Sequence, residues 1–454
     1  MQVEITREYI EQVEEAIARQ DREYILSTMD EMHPADIITV LYELDANESR
    51  YILDLLPPEI GAEILSDLDE DIRNEFLDKF TSEEIARYIN LMHSDDAVDI
   101  LNDQSVQTRE EVIAHIDNDE QTAAILDLLH YEEDCAGGLM AKELIKVNLN
   151  WRVRQCIEEV RRQAERVARI YTVYVVDDRD KLLGRVSVKR LLLSKDDTLV
   201  KDIYSEDVIS IESYKDESEV VSVMRKYDLE AIPVVNIQGR LLGRITIDDV
   251  VDVMQEQAEL SRQLMTGITE NVEEDDSVFR ISRSRLPWLI IGMVGGLLAA
   301  QFMGLFEADI AVLPAVALFV PLITATGGNV GIQSSSIIIQ TLSSNEVVFD
   351  NIAQRLLKVV LVALLNALII SILVFSATYL FKRDLTLAVV VSVALFSVVM
   401  LASLMGTLTP MVLDRFGINP AVAAGPFITT ANDLLGLAVY FLVAHLLLDF
   451  TPMP

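Results

Sequence analysis

Residues 286–306 read LPWLIIGMVGGLLAAQFMGLF, twenty-one positions without a single acid or base. At about 1.5 Å of rise per residue, a helix of that length spans roughly the 30 Å of a bilayer's hydrocarbon. Arg280, Arg283 and Arg285 stand just before it and Trp288 lies near its boundary, the flank expected on the cytosolic side of a membrane. The run divides the chain into two unlike halves. Residues 286–454 hold eight acids and five bases, which leaves 65 of the 73 acids and 32 of the 37 bases to the first 285 residues. That first part carries a net charge of −33, which repels nucleic acid and anionic headgroups and attracts cations. Its start, MQVEITREYIEQVEEAI, is a charged amphipathic helix rather than a signal peptide, and the two cysteines, Cys135 and Cys156, show neither disulfide nor metal-ligand spacing. A cytosolic N-terminal part is expected.

Two repeats organise the acidic part. Met32, Leu44, Leu56, Leu68, Phe80 and Met92 recur every twelve residues, each followed by a helix start: His33-Pro34, Asp45, Pro57-Pro58, Asp69, Thr81-Ser82 and His93-Ser94. Apolar pairs follow at fixed distance, from Val40-Leu41 to Ile100-Leu101, so the period predicts short stacked helices in a superhelix. His33 and His93 hold equivalent places and read as structural. The second repeat aligns YVVDDRDKLLGRVSVKRL from Tyr174 on PVVNIQGRLLGRITIDDV from Pro233, 59 residues apart without gaps. Each copy reads as strand, turn, strand and helix, and the pair resembles tandem CBS domains, which bind adenosine nucleotides through a Ser or Thr with an Asp three residues later. Thr246 and Asp249 match that pattern; in the first copy Ser187 is followed by Arg190, so ATP is expected at one copy at most.

Four more apolar stretches follow the first span, at about 310–342, 356–381, 385–413 and 420–448, giving five spans with the C-terminus outside. Within the second, PAVALFVPLITATGGNVGIQSSS places Asn329 and Gln333 beside Gly327, Gly328 and Gly331. With Pro314 and Pro321 before them, breakers and amides at that depth suggest a broken span lining a watery cavity beside Asn329 and Gln333, rather than a kinked helix packed closely through its glycines. In the fifth, GPFITTANDLLG puts Gly425, Pro426, Thr429, Asp433 and Gly436 on or near one face. Asp433 has no Lys or Arg in any span interior to pair with, so a passing cation is its expected counter-charge. Carboxylate and carbonyl ligands suit Mg²⁺, Ca²⁺ or Mn²⁺ alike.

Nearly the whole chain resembles the MgtE family of magnesium channels and transporters, through M-H-P-A-D at Met32, the CBS pair, R-L-P-W at Arg285–Trp288, G-G-N in the second span and N-P-A…P-F-x-T-T-x-x-D-x-x-G from Asn419 to Gly436. The resemblance implies a multi-domain membrane protein: a cytosolic all-α superhelical domain (1–132), CBS domains with an α/β fold (133–200 and 201–254), a connecting helix (255–284) and a five-helix transmembrane pore domain (285–454). It implies a homodimer in a bacterial inner membrane, with Asp433 and the Thr429 carbonyl of each subunit holding hydrated Mg²⁺ on the two-fold axis, and Gly328, Asn329, Gly425, Pro426 and Gly436 lining the pore. It also implies that cytosolic Mg²⁺ bridges acidic surfaces to shut the pore, with Glu63, Asp95, Asp99, Asp216, Asp228, Asp249, Asp252 and Glu259 as ligands. Gln255 and Gln257, where that helix is usually glutamate-rich, point to fewer inhibitory sites. No nucleotide-hydrolysing loop and no nucleophile and base at catalytic spacing occur, so passive, potential-driven influx is expected rather than a pump or an enzyme. Two rivals are a proton- or cation-coupled exchanger for divalent metals such as Co²⁺ or Mn²⁺, and a membrane-anchored CBS nucleotide sensor.

Overall fold

In a computed structural model, each of the six helix starts marked by the twelve-residue period becomes an N-cap. The structure describes residues 5–29, 32–164, 169–270, 272, 277–312, 314–343, 352–423 and 425–450. The helices are Pro34–Leu41, Ala46–Leu55, Pro58–Asp67, Glu70–Leu77, Ser82–Ile89 and Ser94–Asp103. Asp45 with Glu48 and Thr81 with Glu84 form reciprocal capping boxes, each satisfying backbone donors at both ends of the motif. Every member of the six apolar pairs is buried, from Val40 and Leu41 to Ile100 and Leu101. Alternate helices pack together: Pro34–Leu41 on Pro58–Asp67, that on Ser82–Ile89, and that on Val106–Ala114. Two helices precede the series, Arg7–Ala18 and Arg22–Met29, and Asp119–Leu128 closes it.

The 59-residue repeat is a structural repeat down to single positions. Strands β1 (Ile145–Asn148), β2 (Val173–Val176) and β3 (Leu182–Val186) form one sheet, and β4 (Ile211–Glu212), β5 (Ala231–Val235) and β6 (Leu241–Thr246) the other. In each, the first pair is parallel and the second antiparallel, with helices Val153–Ala164 and Glu217–Tyr227 making the crossovers. The bulge falls between Val175 and Val176 in one copy and between Val234 and Val235 in the other. Asp180 holds a left-handed φ of 59° where its counterpart Gly239 holds 77°, and the two hairpins pair through Leu182 N to Gly239 O and Leu241 N to Asp180 O, both at 2.9 Å.

These elements make up a unit over Met1–Val253; Met254–Pro454 forms a second. Helix Ile247–Thr266 starts in the first and ends in the second, at Gly267, whose φ of +89° a side chain rarely adopts. Among the described residues, five helices of the second unit are long and apolar enough to cross a membrane: Val278–Gly304, Pro314–Leu342, Leu357–Lys382, Leu385–Arg415 and Gly425–Leu447. The fourth is the centre, with the second, third and fifth all packed on it, while the first packs on the fifth. The second span differs from expectation. Its break is a 3-10 turn at Pro314–Phe319, and the helix Val320–Ser343 runs on unbroken through Gly327, Gly328 and Gly331. Proline interrupts the ladder of hydrogen bonds, whereas glycine keeps its N–H and serves here for close approach. Tyr440 of the fifth span donates to Val316 O at 2.8 Å, which pins that turn.

Candidate functional site

Glycines decide what lies beside Asp433. A Cβ on Gly328 would stand 3.4 Å from Thr429 Cγ2 and 3.9 Å from Asp433 Oδ1, so the second span presents bare backbone to the carboxylate. The Thr429 hydroxyl donates to Gly425 O at 2.9 Å, fixing the residue one turn before Asp433. Asp433 is half-buried, and among the described residues no basic group forms an ion pair with it. Asn329 and Gln333 belong to an exposed stripe of the second span with Leu322, Ala325 and Ile337. Two amides on such a face need water or another polyamide surface rather than lipid.

The remaining predicted pore residues are placed differently. Gly436 is buried, and a Cβ there would reach Val398 Cγ1 of the fourth span at 3.3 Å, so it is a packing glycine away from the open face. Gly425 and Pro426 meet the end of the connecting helix: a Cβ on Gly425 would run into Met265 O, and one on Gly267 would lie 2.6 Å from Pro426 Cγ. Behind Asp433, Asn432 is buried with its Nδ2 unpartnered among the described residues, pressed on Gly331, and Gly331 O in turn lies 2.4 Å from where a Gly406 side chain would begin, so this approach is open to glycine alone. Spans two, four and five thus close on one another through backbone.

A second centre lies in the first unit. Helix Ser94–Asp103 brings Asp95, Asp96 and Asp99 against Asp249, near the start of helix Ile247–Thr266. Removal from water is the main reason these carboxyls hold their protons, with mutual repulsion second. Asp95 is raised well above the ordinary range by desolvation, then by Asp96, Asp249 and Glu143. Asp96 is pushed up to about 7 by desolvation, then by Asp249, Asp99 and Asp67. Asp99, although its side chain reaches solvent, is pushed up to about 6 by desolvation first, against the pull of Arg73, with Glu133, Asp103 and Asp249 adding repulsion. Asp249 is raised in the same sense, even though its Oδ2 accepts from the Thr246 hydroxyl at 2.7 Å and the Thr246 N–H at 3.1 Å. Asp252 and Asp67 are raised too, Asp67 by desolvation and then by exposed Glu63 and Asp252.

Of the residues expected to hold cations, this cluster contains Asp95, Asp99, Asp249 and Asp252, with Glu63 at its margin. Asp216 and Asp228 are exposed caps at the two ends of helix Glu217–Tyr227. Glu259 is exposed on the second unit's part of the connecting helix, 3.9 Å from Arg262. Asp67, Asp96 and Glu143 join the cluster without having been singled out by sequence. Glu143 arrives through Ser94, whose hydroxyl donates to Oε2 at 2.8 Å, and one of its carboxylate oxygens lies within 4.8 Å of a ring nitrogen of His93 and a carboxylate oxygen of Asp95. His93 therefore departs from its repeat partner: His33 caps its helix with Nδ1, whereas His93 makes no such bond and stands among acids. Asp95 and Asp99 were expected from the sequence; Asp96 and Glu143, the latter 49 residues from Ser94, were not.

Comparison with known proteins agrees with this layout. The profile of a family described as a divalent cation transporter matches residues 320–443, that of the MgtE intracellular N domain matches 32–134, and CBS domains match 136–195 and 200–256. The magnesium transporter MgtE of Thermus thermophilus is 32% identical over 445 residues, 96% of this chain and 98% of its own length. That of Enterococcus faecalis is 33% identical over 332 residues, 73% of each chain. A crystal structure of the soluble part of a magnesium transporter is similar with a TM-score of 0.50 and 29% identity, covering 55% of this chain and 98% of that one.

Proposed function

The chain belongs to the MgtE family of divalent cation transporters, and from that premise we propose that it is a Mg²⁺ channel, passing the ion inward along the membrane potential and closing when cytosolic Mg²⁺ is high. The observation that carries the proposal is Asp433: a carboxylate within a membrane span, without a basic partner among the described residues, beside the bare backbone of Gly328. Mg²⁺ sheds its waters reluctantly, so a site for it has to admit the hydrated ion and bind through few protein oxygens. The Thr429 carbonyl, whose first lone pair serves the helix, has a second to offer a coordinated water. The exposed amides of Asn329 and Gln333 fit a homodimer in which this face borders a shared aqueous path. A divalent ion entering across 100 mV, negative inside, gains about 2 × 2.3 kcal/mol, so no coupled reaction is required.

Closure rests on the acid cluster. With no cation, Asp95, Asp96, Asp99 and Asp249 repel one another; Mg²⁺ between them favours the assembled arrangement and shifts the population toward it. Asp249 and Asp252 lie at the start of helix Ile247–Thr266, and Met265 at its end packs on Gly425, four residues before Thr429. A change in how that helix is held is thereby delivered to the mouth of the filter. The test is Asp433→Asn, which keeps shape and removes charge. In liposomes loaded with a Mg²⁺ indicator, influx should fall by at least about tenfold, given several kcal/mol between a charge and a divalent ion at intermediate dielectric. Unchanged influx would reject the filter assignment.

A further inference from the structure

We propose that His93, Asp95 and Glu143 form a site for a divalent transition ion, with Zn²⁺ as its tight occupant, held against an excess of Mg²⁺. One ring nitrogen of His93 and one carboxylate oxygen each of Asp95 and Glu143 lie within 4.8 Å of one another. Donors bound at about 2.0–2.2 Å to a single ion stand roughly 3–4 Å apart, so these three are within a small side-chain rotation of sharing one. All belong to the first unit: His93 and Asp95 stand at the cap and in the first turn of helix Ser94–Asp103, and Glu143 lies two residues before β1.

The carboxylates are positioned and unneutralised. Glu143 Oε2 accepts from the Ser94 hydroxyl at 2.8 Å and the Ser94 N–H at 3.3 Å, and that hydroxyl accepts in turn from the Lys142 N–H at 2.9 Å. Ser94 is fully buried, so it orients Glu143 from behind as the outer partners of metal ligands do. Among the described residues Glu143 Oε1 accepts nothing, and Asp95 accepts only the Asp96 N–H, through Oδ1 at 3.1 Å. Neither acid has an ion pair among those residues; the base nearest Glu143 in sequence, Lys142, is turned to Asp127 at 2.5 Å. Two acids withdrawn from water side by side call for a cation between them.

His93 decides which kind. His33, its counterpart in the twelve-residue repeat, spends Nδ1 on the Ala35 N–H at 3.3 Å. His115 and His130 are exposed and set Nδ1 on carbonyls of their own helices, Glu111 O at 2.7 Å and Leu126 O at 2.5 Å. His93 holds an N-cap position without capping, and its ring makes no hydrogen bond among the described residues. A neutral imidazole suits Zn²⁺, Co²⁺ or Ni²⁺, whereas Mg²⁺ takes oxygen ligands and keeps its waters. On mixed nitrogen and oxygen donors, affinity rises from Mn²⁺ toward Zn²⁺. His93 and Glu143 are half-buried, which leaves the ion a way in from solvent. Asp95 alone is shared with the closure reading, and the site stands whether or not Mg²⁺ shuts the pore.

The full chain in detergent micelles, stripped with a chelator and re-equilibrated with micromolar Zn²⁺ in millimolar Mg²⁺, should carry about one Zn²⁺ through gel filtration, read by elemental analysis. His93→Ala and Glu143→Gln, on separate segments, should each weaken Zn²⁺ binding by at least about ten-fold, and His115→Ala should not. Glutamine at 143 still offers Ser94 an oxygen, so its effect reports the lost charge rather than a lost fold. Loaded instead with Mn²⁺, the unaltered chain should show the electron-spin-echo modulation of a directly coordinated nitrogen, a readout that needs no variant, and His93→Ala should lose it. Zinc washed out by Mg²⁺ would overturn the proposal. So would zinc kept equally by His93→Ala, which would mean that the acids alone hold it, or bound Mn²⁺ with no coordinated nitrogen.

Discussion

Lowering the pH should do part of what Mg²⁺ does at the acid cluster, and should weaken Mg²⁺ binding there by a calculable factor. Asp96 is pushed up to about 7 and Asp99 up to about 6, both above the ordinary carboxylate range. A raised folded-state value means that the ionised group opposes the assembled arrangement above that pH. The opposition is relieved as pH falls through 7 and then 6. In the absence of Mg²⁺, helices Ser94–Asp103 and Ile247–Thr266 should therefore gain protection from hydrogen exchange between pH 8 and pH 6, after correction for intrinsic exchange rates. A cation has to displace the same proton. For one linked group titrating at about 7, the apparent dissociation constant scales as one plus the ratio of protonated to ionised form, so it rises about ten-fold from pH 8 to pH 6. Exchange mass spectrometry on the full chain, titrated with Mg²⁺ at the two values, reads both effects. Asp96→Asn should flatten the pH dependence and leave the sign of the Mg²⁺ effect unchanged. A Mg²⁺ midpoint that is the same at pH 6 and pH 8 would refute the reasoning, because it would mean that no proton is displaced.

Two further outcomes bear on the membrane part. Gly331→Ala should shorten the half-life of the purified protein at elevated temperature, since the new methyl meets Asn432 Nδ2 and lies 2.8 Å from Ile428 Cγ2; such overpacking costs about 1–3 kcal/mol, and adding Asn432→Ala should restore most of the loss. Gly267→Ala should loosen the end of the connecting helix, with about 1 kcal/mol from its φ of +89° alone and a further clash at Pro426, so single-channel records at millimolar cytosolic Mg²⁺ should show raised open probability.

Periodic information was the most legible. The twelve-residue repeat marked six helix starts and their buried pairs, and the 59-residue offset predicted paired strands whose bulges and hairpin turns coincide, because one-dimensional repeats become local geometry. The five apolar runs likewise became five helices. The break in the second span was misplaced because glycine and proline were weighed as equal breakers, although only proline removes an N–H. Gly436 shares the spacing of Thr429 and Asp433 but turns toward Val398, since a face in sequence does not say which neighbour packs on it. Asp96 and Glu143 depended on contacts 40 and more residues away.

The central claim is that Mg²⁺ itself carries the current past Asp433. Its most direct test is the reversal potential of the full chain in liposomes under a tenfold Mg²⁺ gradient with all other ions equal. A channel for the divalent ion predicts reversal displaced by about 30 mV in the direction that opposes Mg²⁺ flow. Mg²⁺ movement without current, or a reversal potential that follows an imposed proton gradient instead, would contradict the account.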